Sequence, residues 1–579
     1  MNIFNLIRSK LIVELQNLYP HLKLQNLENV TVELPKEHSH GDLATNAAMV
    51  LSKELATTPR DLAEKILSKI SNYEEIESCS IAGPGFINII LDKKIWSRLL
   101  SEILSLGNDF GRNNIGKNHK INIEFVSVNP TGPMHVGHAR GAVFGDVLAE
   151  VLKYSGYDVI KEYYVNDAGA QIDVLAKSAY IRYLEASGQK ITDIPSGLYP
   201  GDYLVPVGKY LYSEFKDKLK ALEENSRIAI IKPIVVEAML TLIKNDLSLI
   251  GVSHDIFFSE KSLHDKGAIE KAVKVLQNAD LIYRGKLDPP KGKIPEDWED
   301  REQLLFKSTK FSDDVDRPLQ KSNGEWTYFA ADLAYAEDKI ERGFNNITMI
   351  LGADHGGYVK RIKASISALS DNKVNCNIQI MQLVNYYKNG LPFKMSKRSG
   401  NFITLEDVVE AVGKDVIRFI MLTRKNDIVM DFDLEKVTEQ SKDNPVFYVQ
   451  YAHARSKSIL TNSKEVFPDI LDIIKENKYN LSLLDTNEDI KVIKTLGLWP
   501  RIVEQATIHQ EPHRIAYYLN DLASVFHSYW SMGRENKNLR FIIPENKNLS
   551  VARVCMVIAL TNVIANGLNI FNIAPIDEM

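Results

Sequence analysis

Residues 121–165 read INIEFVSVNPTGPMHVGHARGAVFGDVLAEVLKYSGYDVIKEYYV, and the order of patterns in this stretch decides the fold. The alternation across Ile121 to Val128 predicts a strand. The turn-rich stretch from Asn129 to Pro133 then breaks it, and His135 to Tyr154 carries apolar residues at helical spacing. Val159 to Val165 predicts a second strand, and a further helical pattern starts near Gly169. Strand, turn, helix and strand in that succession is what a parallel α/β sheet requires.

Working outward, ILGADHGG (350–357) reads as a later strand running into another helix, so the sheet resumes after a long interruption. That interruption is helical and polar, with DPPKGKIPEDWEDRE (288–302) as an exposed loop, and is expected to be an insertion between two halves of the sheet. Upstream, helical patterns over Leu43 to Leu55 and Leu62 to Ile70 accompany an apolar strand, Phe86 to Leu91, introduced by the turn Gly83-Pro84-Gly85. After about Asp433 only helical patterns remain, with breaks at Pro468, Pro512 and Pro544. The expectation is a multidomain chain: an α+β domain over 1–117, an α/β parallel-sheet domain over 118–433 and an all-helical domain over 434–579.

Composition fits three such cores. The 579 residues are 45% hydrophobic and 25% charged, enough apolar material to pack and too little charge excess to stay unfolded. A formal net charge of -5 supplies no global field for a polyanion, so any nucleic acid must be held by local basic surfaces. Cys79, Cys376 and Cys555 form no CxxC pair, which argues against a disulfide framework and a thiolate zinc site. The first residues mix charges, Glu14 among them, into an apolar helical pattern unlike a secretory or organelle leader. With no uninterrupted apolar stretch of about 20 residues, no membrane is expected and a cytoplasmic location is.

The chemistry is expected where strand meets helix. Backbone N–H groups at a helix start attract phosphate, Gly137 removes a side chain where a nucleotide could approach, and His135 and His138 share one helical side. The purely structural alternative makes His135 a capping residue and His138 a surface histidine, and for an isolated HxGH that alternative has the better claim. A metal pair has less, since no third ligand is near. Far downstream, Lys394-Met395-Ser396-Lys397-Arg398-Ser399-Gly400-Asn401 places three cations and small hydroxyl residues on a glycine-flanked loop. Such a loop suits neutralising charge that develops on a leaving group in a transition state.

HVGH followed by KMSKR resembles the HIGH and KMSKS pair of class I aminoacyl-tRNA synthetases, and residues 124–172 around the first motif are similar to the arginyl-tRNA synthetase family. So are IAGPGFINI, WTYFAADLAYAEDK, LGADHGGYVKR, PVFYVQYAHAR and VIANGLNIFNIAP, which spread the likeness over nearly the whole chain. The resemblance implies a Rossmann-type catalytic domain, an N-terminal domain that grips the tRNA elbow and a C-terminal helical anticodon-binding domain. It implies that arginine is activated by ATP, carried with Mg2+, to arginyl-adenylate and then passed to the terminal ribose of tRNA. Activation in this family needs tRNA present. No zinc is expected, and a monomer is.

The resemblance also assigns residues. His135, His138 and Lys397, with Lys394 beside it, serve catalysis; Gly137, Gly352 and Asp354 join them around ATP. Tyr328 and Asp332, one helical turn apart, and Glu260 from FFSEKS read the guanidinium, while Glu124, Ser127, Asn129 and His355 complete the arginine site. Phe86 and Asn88 in the first domain, and Tyr451 and Arg455 in the third, are candidates for tRNA contact; an ordinary strand and a core helix are their structural alternatives. Val136 replaces the Ile of the named motif, Arg398 stands where KMSKS has its last Ser, and Gly132 lies where some relatives carry a lysine, leaving more of the load on Lys397. Three rivals remain: a tRNA-binding relative without ligase activity, a stand-alone HxGH nucleotidyltransferase, and a cysteinyl synthetase. The intact His135, His138 and Lys397 set opposes the first, the long helical domain the second, and the scattered cysteines the third.

Overall fold

The computed structural model describes residues 1–287, 300–388, 390–392, 403–439 and 444–579. At the N-terminal end β1 (Val32–Glu33), β2 (Leu43–Thr45), β3 (Ile76–Ala82) and β4 (Phe86–Leu91) form an antiparallel sheet in the order β1–β2–β4–β3. The helix expected over Leu43 to Leu55 is in fact strand β2 followed by a short helix, Ala47–Leu51. Pairing of Leu43 with Ile89 and of Thr45 with Ile87 on β4 overrides the local helical pattern.

The centre of the molecule is a parallel sheet of β5 (Lys120–Glu124), β6 (Asp158–Val165), β7 (Ile256–Ser259), β11 (Asn346–Gly352) and β12 (Asn375–Met381). Its order, β12–β11–β5–β6–β7, places the first strand in the middle. Connections from β5 leave on one side and the later strands return on the other, so the carboxyl ends of β5 and β11 border the point where the winding reverses. Open α/β sheets bind ligands in that crevice. Strand β5 stops at Glu124, short of the expected Val128, because Val126 (φ 70°) and Ser127 (φ 42°) turn the backbone into the left-handed region. The helix Val136–Tyr154 then crosses to β6 with 14 buried residues, Val143, Val147 and Val151 among them.

Between β6 and β7 the insertion contributes helices Ala170–Ala186, Val205–Phe215 and Glu224–Leu249, which share a separate core around Leu175, Tyr183, Leu211 and Val235. Strands β8 (Ile282–Gly285), β9 (Gln303–Phe306) and β10 (Arg317–Gln320) form an antiparallel excursion before the helix Tyr328–Glu341. Beyond β12, β13 (Val384–Lys388) pairs antiparallel with β14 (Leu391–Pro392) and parallel with β15 (Met430–Asp433).

From Pro445 onward the described elements are helical, the longest being Pro445–Val466, His513–Glu535 and Lys547–Ile570. The last is long and apolar enough to cross a membrane, with a mean hydropathy of 1.7, but 83% of that window is buried inside the protein. It is the core of the helical domain. This domain is not a detachable bead: Trp499 Nε1 donates to Phe110 O at 2.9 Å, Ser155 and Thr507 share a hydroxyl hydrogen bond of 2.7 Å, and Arg418 donates to Phe571 O. One hydrophobic cluster accordingly runs from Ile3 through Val136 and Trp499 to Ile573.

Candidate functional site

The two imidazoles meet at the crevice. His135 is the N-cap of the helix Val136–Tyr154, and its Nδ1 accepts from Gly137 N at 3.2 Å; His138 Nδ1 accepts from His135 N, also at 3.2 Å. Each side chain thus satisfies a backbone donor that the helix start leaves open. With both Nδ1 atoms accepting, the capping geometry places the ring proton on Nε2. The rings stack with centroids 3.6 Å apart and 24° between planes. The capping alternative posed from the sequence is thus what the structure shows for both rings, and it occupies Nδ1 of each.

A Cβ at Gly137 would lie 2.9 Å from His135 Cε1, so the missing side chain makes room for that imidazole. Gly132 (φ 149°) is similarly confined, since a Cβ would meet the Tyr203 ring at 2.8 Å, and Tyr203 donates to Thr131 O at 2.7 Å. The insertion thereby steadies the loop ahead of the imidazoles. So does Asp246, whose buried carboxylate accepts from Met134 N at 2.7 Å.

A pocket of about 350 Å³ is lined by Glu260, His264, Lys321, Trp326, Thr327 and Tyr328. Tyr328 opens the helix Tyr328–Glu341 and is 68% exposed, and Asp332 follows one turn later on the same helix. Burial first, then the charge of Glu260, push the Asp332 carboxyl up to about 7, against the opposing pull of Arg361. Burial raises Glu260 too, partly offset by a hydrogen bond with Tyr164. Both carboxyls are thus raised by burial, and Asp332 also feels the charge of Glu260.

Glu124 is already matched. Lys339 Nζ stands 2.6 Å from its Oε2, and Ser127 Oγ donates to its Oε1 at 3.3 Å while accepting from Tyr164 N at 3.0 Å. Behind it, fully buried Glu162 receives Arg342 through two bonds of 2.6 and 3.0 Å and Tyr335 Oη at 2.5 Å, and these partners hold its carboxyl below the usual range despite burial. Sequence reading missed Lys339, Glu162, Tyr335 and Tyr164. A signal was there: Asp332, Tyr335 and Lys339 recur at three and four residues, one face of one helix.

The remaining candidates fall as follows. Gly352 ends β11, and Asp354 and His355, both exposed and 3.5 Å apart, stand on the short 3-10 helix Ala353–Tyr358 just beyond it. Asn129 lies in the loop between β5 and the imidazoles. Lys394, Lys397 and Arg398 lie outside the described residues. Phe86 is 42% exposed on β4, whereas Asn88, on the same face, is buried between Ala44 and Ser80. In the helical domain Arg455 is engaged internally: it donates to Tyr451 Oη at 2.6 Å, contacts His527 Nδ1 at 2.8 Å and lies 4.2 Å from the Tyr451 ring centre. Among the described residues no group of three His, Cys, Asp or Glu side chains is gathered to hold an ion.

Comparison with known proteins covers most of the chain. Residues 5–91 match the arginyl tRNA synthetase N-terminal domain, residues 99–194 the class I (R) tRNA synthetase catalytic domain, and residues 449–579 the DALR anticodon binding domain. The arginine–tRNA ligase of Rickettsia typhi is 51% identical over 579 residues, all of both chains. That of Rhizobium meliloti is 52% identical over 553 residues, 95% of this chain and 94% of its own. The solved structure of Thermus thermophilus arginyl-tRNA synthetase shares the fold, with a TM-score of 0.74 at 18% identity over 99% of this chain and 100% of that one.

Proposed function

The chain belongs to the arginyl-tRNA synthetase family of class I, and from that premise we propose how its residues divide the work of an ATP-dependent arginine–tRNA ligase. The reaction has two steps. An oxygen of the arginine carboxylate bonds to the α-phosphorus of ATP as the bond to pyrophosphate breaks, giving arginyl-adenylate. A hydroxyl of the terminal tRNA ribose then attacks the arginyl carbonyl, and AMP leaves.

Positioning and charge stabilisation carry such a transfer without a covalent nucleophile on the protein. His135 and His138 donate from Nε2 to the triphosphate at a helix start whose dipole favours the same anion. Lys397, with Lys394, meets the charge that builds on the departing pyrophosphate. ATP arrives as its Mg2+ complex, with Gly352 and Asp354 beside the nucleotide and no zinc involved. Glu260 and Asp332 pair with the guanidinium, with Tyr328 at the pocket mouth. Ser127, Asn129 and His355 address the substrate's α-amino and carboxylate groups, while Glu124, held by Lys339, shapes the floor. The tRNA is gripped by the N-terminal domain, around exposed Phe86, and by the helical domain, where Arg455 acts from within by holding Tyr451 and His527. The division into domains at about residues 117 and 433 follows the same roles, and the enzyme acts as a cytoplasmic monomer.

The observation that carries this assignment is the electrostatic pairing of Glu260 with Asp332, two acids that a guanidinium would match, in a chain whose helix Val136–Tyr154 is capped by His135 and His138. Incubation with tRNA, ATP and each of the twenty amino acids tests it. Arginine alone should be charged, and charging of any other amino acid in its place overturns the assignment. Pyrophosphate exchange dependent on arginine and tRNA separates a ligase from a relative that only binds tRNA.

A further inference from the structure

Strand β5 ends in a strained turn. Val126 (φ 70°) and Ser127 (φ 42°) both lie in the left-handed region, where a β-branched side chain is a rare outlier that persists only if its surroundings hold it. Side chains do the holding. Ser127 Oγ bridges Glu124 Oε1 at 3.3 Å and Tyr164 N at 3.0 Å, and Tyr163 Oη donates to Val128 O at 2.7 Å. Glu124 is locked in turn by Lys339, which is 1% exposed and whose Nζ stands 2.6 Å from Glu124 Oε2 and 3.8 Å from Glu162 Oε1. Lys339 belongs to the helix that carries Asp332: Asp332, Tyr335 and Lys339 follow one face of Tyr328–Glu341 over two turns. The Lys339 ammonium lies 4.4 Å from the centre of the Tyr335 ring, which packs on Tyr164 at 4.6 Å. Burial, then the charges of Glu260, Asp332 and Glu124, push the Tyr164 hydroxyl far above its ordinary range, which puts that side chain among all three acids.

We propose that Lys339 is a positioning residue for amino-acid recognition: it locks Glu124, Glu124 and Ser127 hold the strained turn, and the end of β5 is thereby fixed at one distance from Asp332. Lys339 itself touches no substrate. The proposal rests on the reading that Ser127 and Asn129 address the α-amino and carboxylate groups while Asp332 meets the guanidinium. With the two ends of the substrate held on elements joined by one buried ion pair, the protein measures the length of the side chain between them. One methylene more or fewer is worth about 10–200-fold in a fitted pocket. An end of β5 that is free to drift loses that discrimination.

The experiment is pyrophosphate exchange with saturating tRNA, using arginine and its analogues with one side-chain methylene more and one fewer, alongside thermal midpoints. Lys339→Met should lower kcat/KM for arginine by up to about a hundredfold and lower it less for the analogues, so that the preference for arginine narrows. If an unpaired buried Glu124 keeps that variant from folding, Lys339→Met combined with Glu124→Gln removes both charges together and should show the same narrowing. Val126→Gly, added to whichever of these folds, lets the turn take positive φ without strain and should return part of the preference. Equal losses for all three amino acids would mark Lys339 as merely structural and overturn the proposal. Unchanged discrimination, or a Val126→Gly change that deepens its loss, would overturn it as well. Undiminished arginine use by Asp332→Ala would instead defeat the pocket reading, and the proposal would fall with it.

Discussion

Arginine binding should depend on pH in a way that ATP binding does not, because the Asp332 carboxyl must be ionised to pair with a guanidinium and is held up to about 7 in the free enzyme. Burial and the Glu260 charge disfavour the anion; a bound cation favours it, so the carboxyl's pKa drops on binding and arginine uptake releases a proton. The apparent dissociation constant is the intrinsic one divided by the competent fraction. For a group titrating at about 7, that fraction falls from about three-quarters at about pH 7.5 to about 3% at about pH 5.5, a weakening of about 25-fold, or about 1.9 kcal/mol. Glu260, raised in the same direction, steepens the loss. The assay is KM for arginine and for ATP across that range with saturating tRNA, supported by calorimetry of arginine binding in buffers of different ionisation enthalpy to count released protons. Asp332→Ala should weaken arginine use by about 2–5 kcal/mol and flatten the profile. Asp332→Asn should fail as well, since an amide donor replaces an acceptor oxygen. A flat arginine profile in the wild type, or an Asp332→Asn enzyme that uses arginine normally, refutes the reasoning.

The same carboxyl makes a prediction about stability. Its folded pKa lies above the unfolded value of 3.8, so the stability it contributes is complete below about pH 4 and is lost as pH rises through about 7, by on the order of 4 kcal/mol. Asp332→Asn should therefore melt higher than wild type at about pH 8 while losing arginine use, and an unchanged or lower midpoint there contradicts the pocket's electrostatics. Lys397→Ala should slow activation by about 2.7–4 kcal/mol with little change in ATP affinity; a loss of affinity with intact turnover reassigns the lysine to ground-state binding. Removing the residues after Asn444 should abolish charging by unfolding the remainder as well as by losing tRNA contacts, because Trp499, Thr507 and Phe571 complete packing against Phe110, Ser155 and Arg418. A soluble, cooperatively melting fragment counts against that continuity. Arg455→Ala should lower the melting temperature, since its guanidinium joins Tyr451 and His527, and a stable variant impaired only in tRNA affinity would place Arg455 on the RNA instead.

The sequence alone determined what depends on neighbouring residues: the βαβ order of 121–165, the helix start at HVGH and the run of helices after Asp433, each written in a short-range periodicity. It also carried the family, through motifs spread along the whole chain. Tertiary contacts decided what local pattern cannot encode. Leu43 to Thr45 became a strand because β4 offered it partners, and β5 ended early because Val126 and Ser127 turn left-handed toward the crevice. Gly137 yields its space to an imidazole two residues away, a matter of side-chain direction that the motif does not specify. The acid pocket was legible only in part. Asp332 and Glu260 stood out by type and by resemblance, but which carboxylate is neutralised and which awaits a cation depends on Lys339 reaching Glu124 from 215 residues away. Electrostatic character follows from distances in space and from exclusion of water, and neither exists until the sheet has closed.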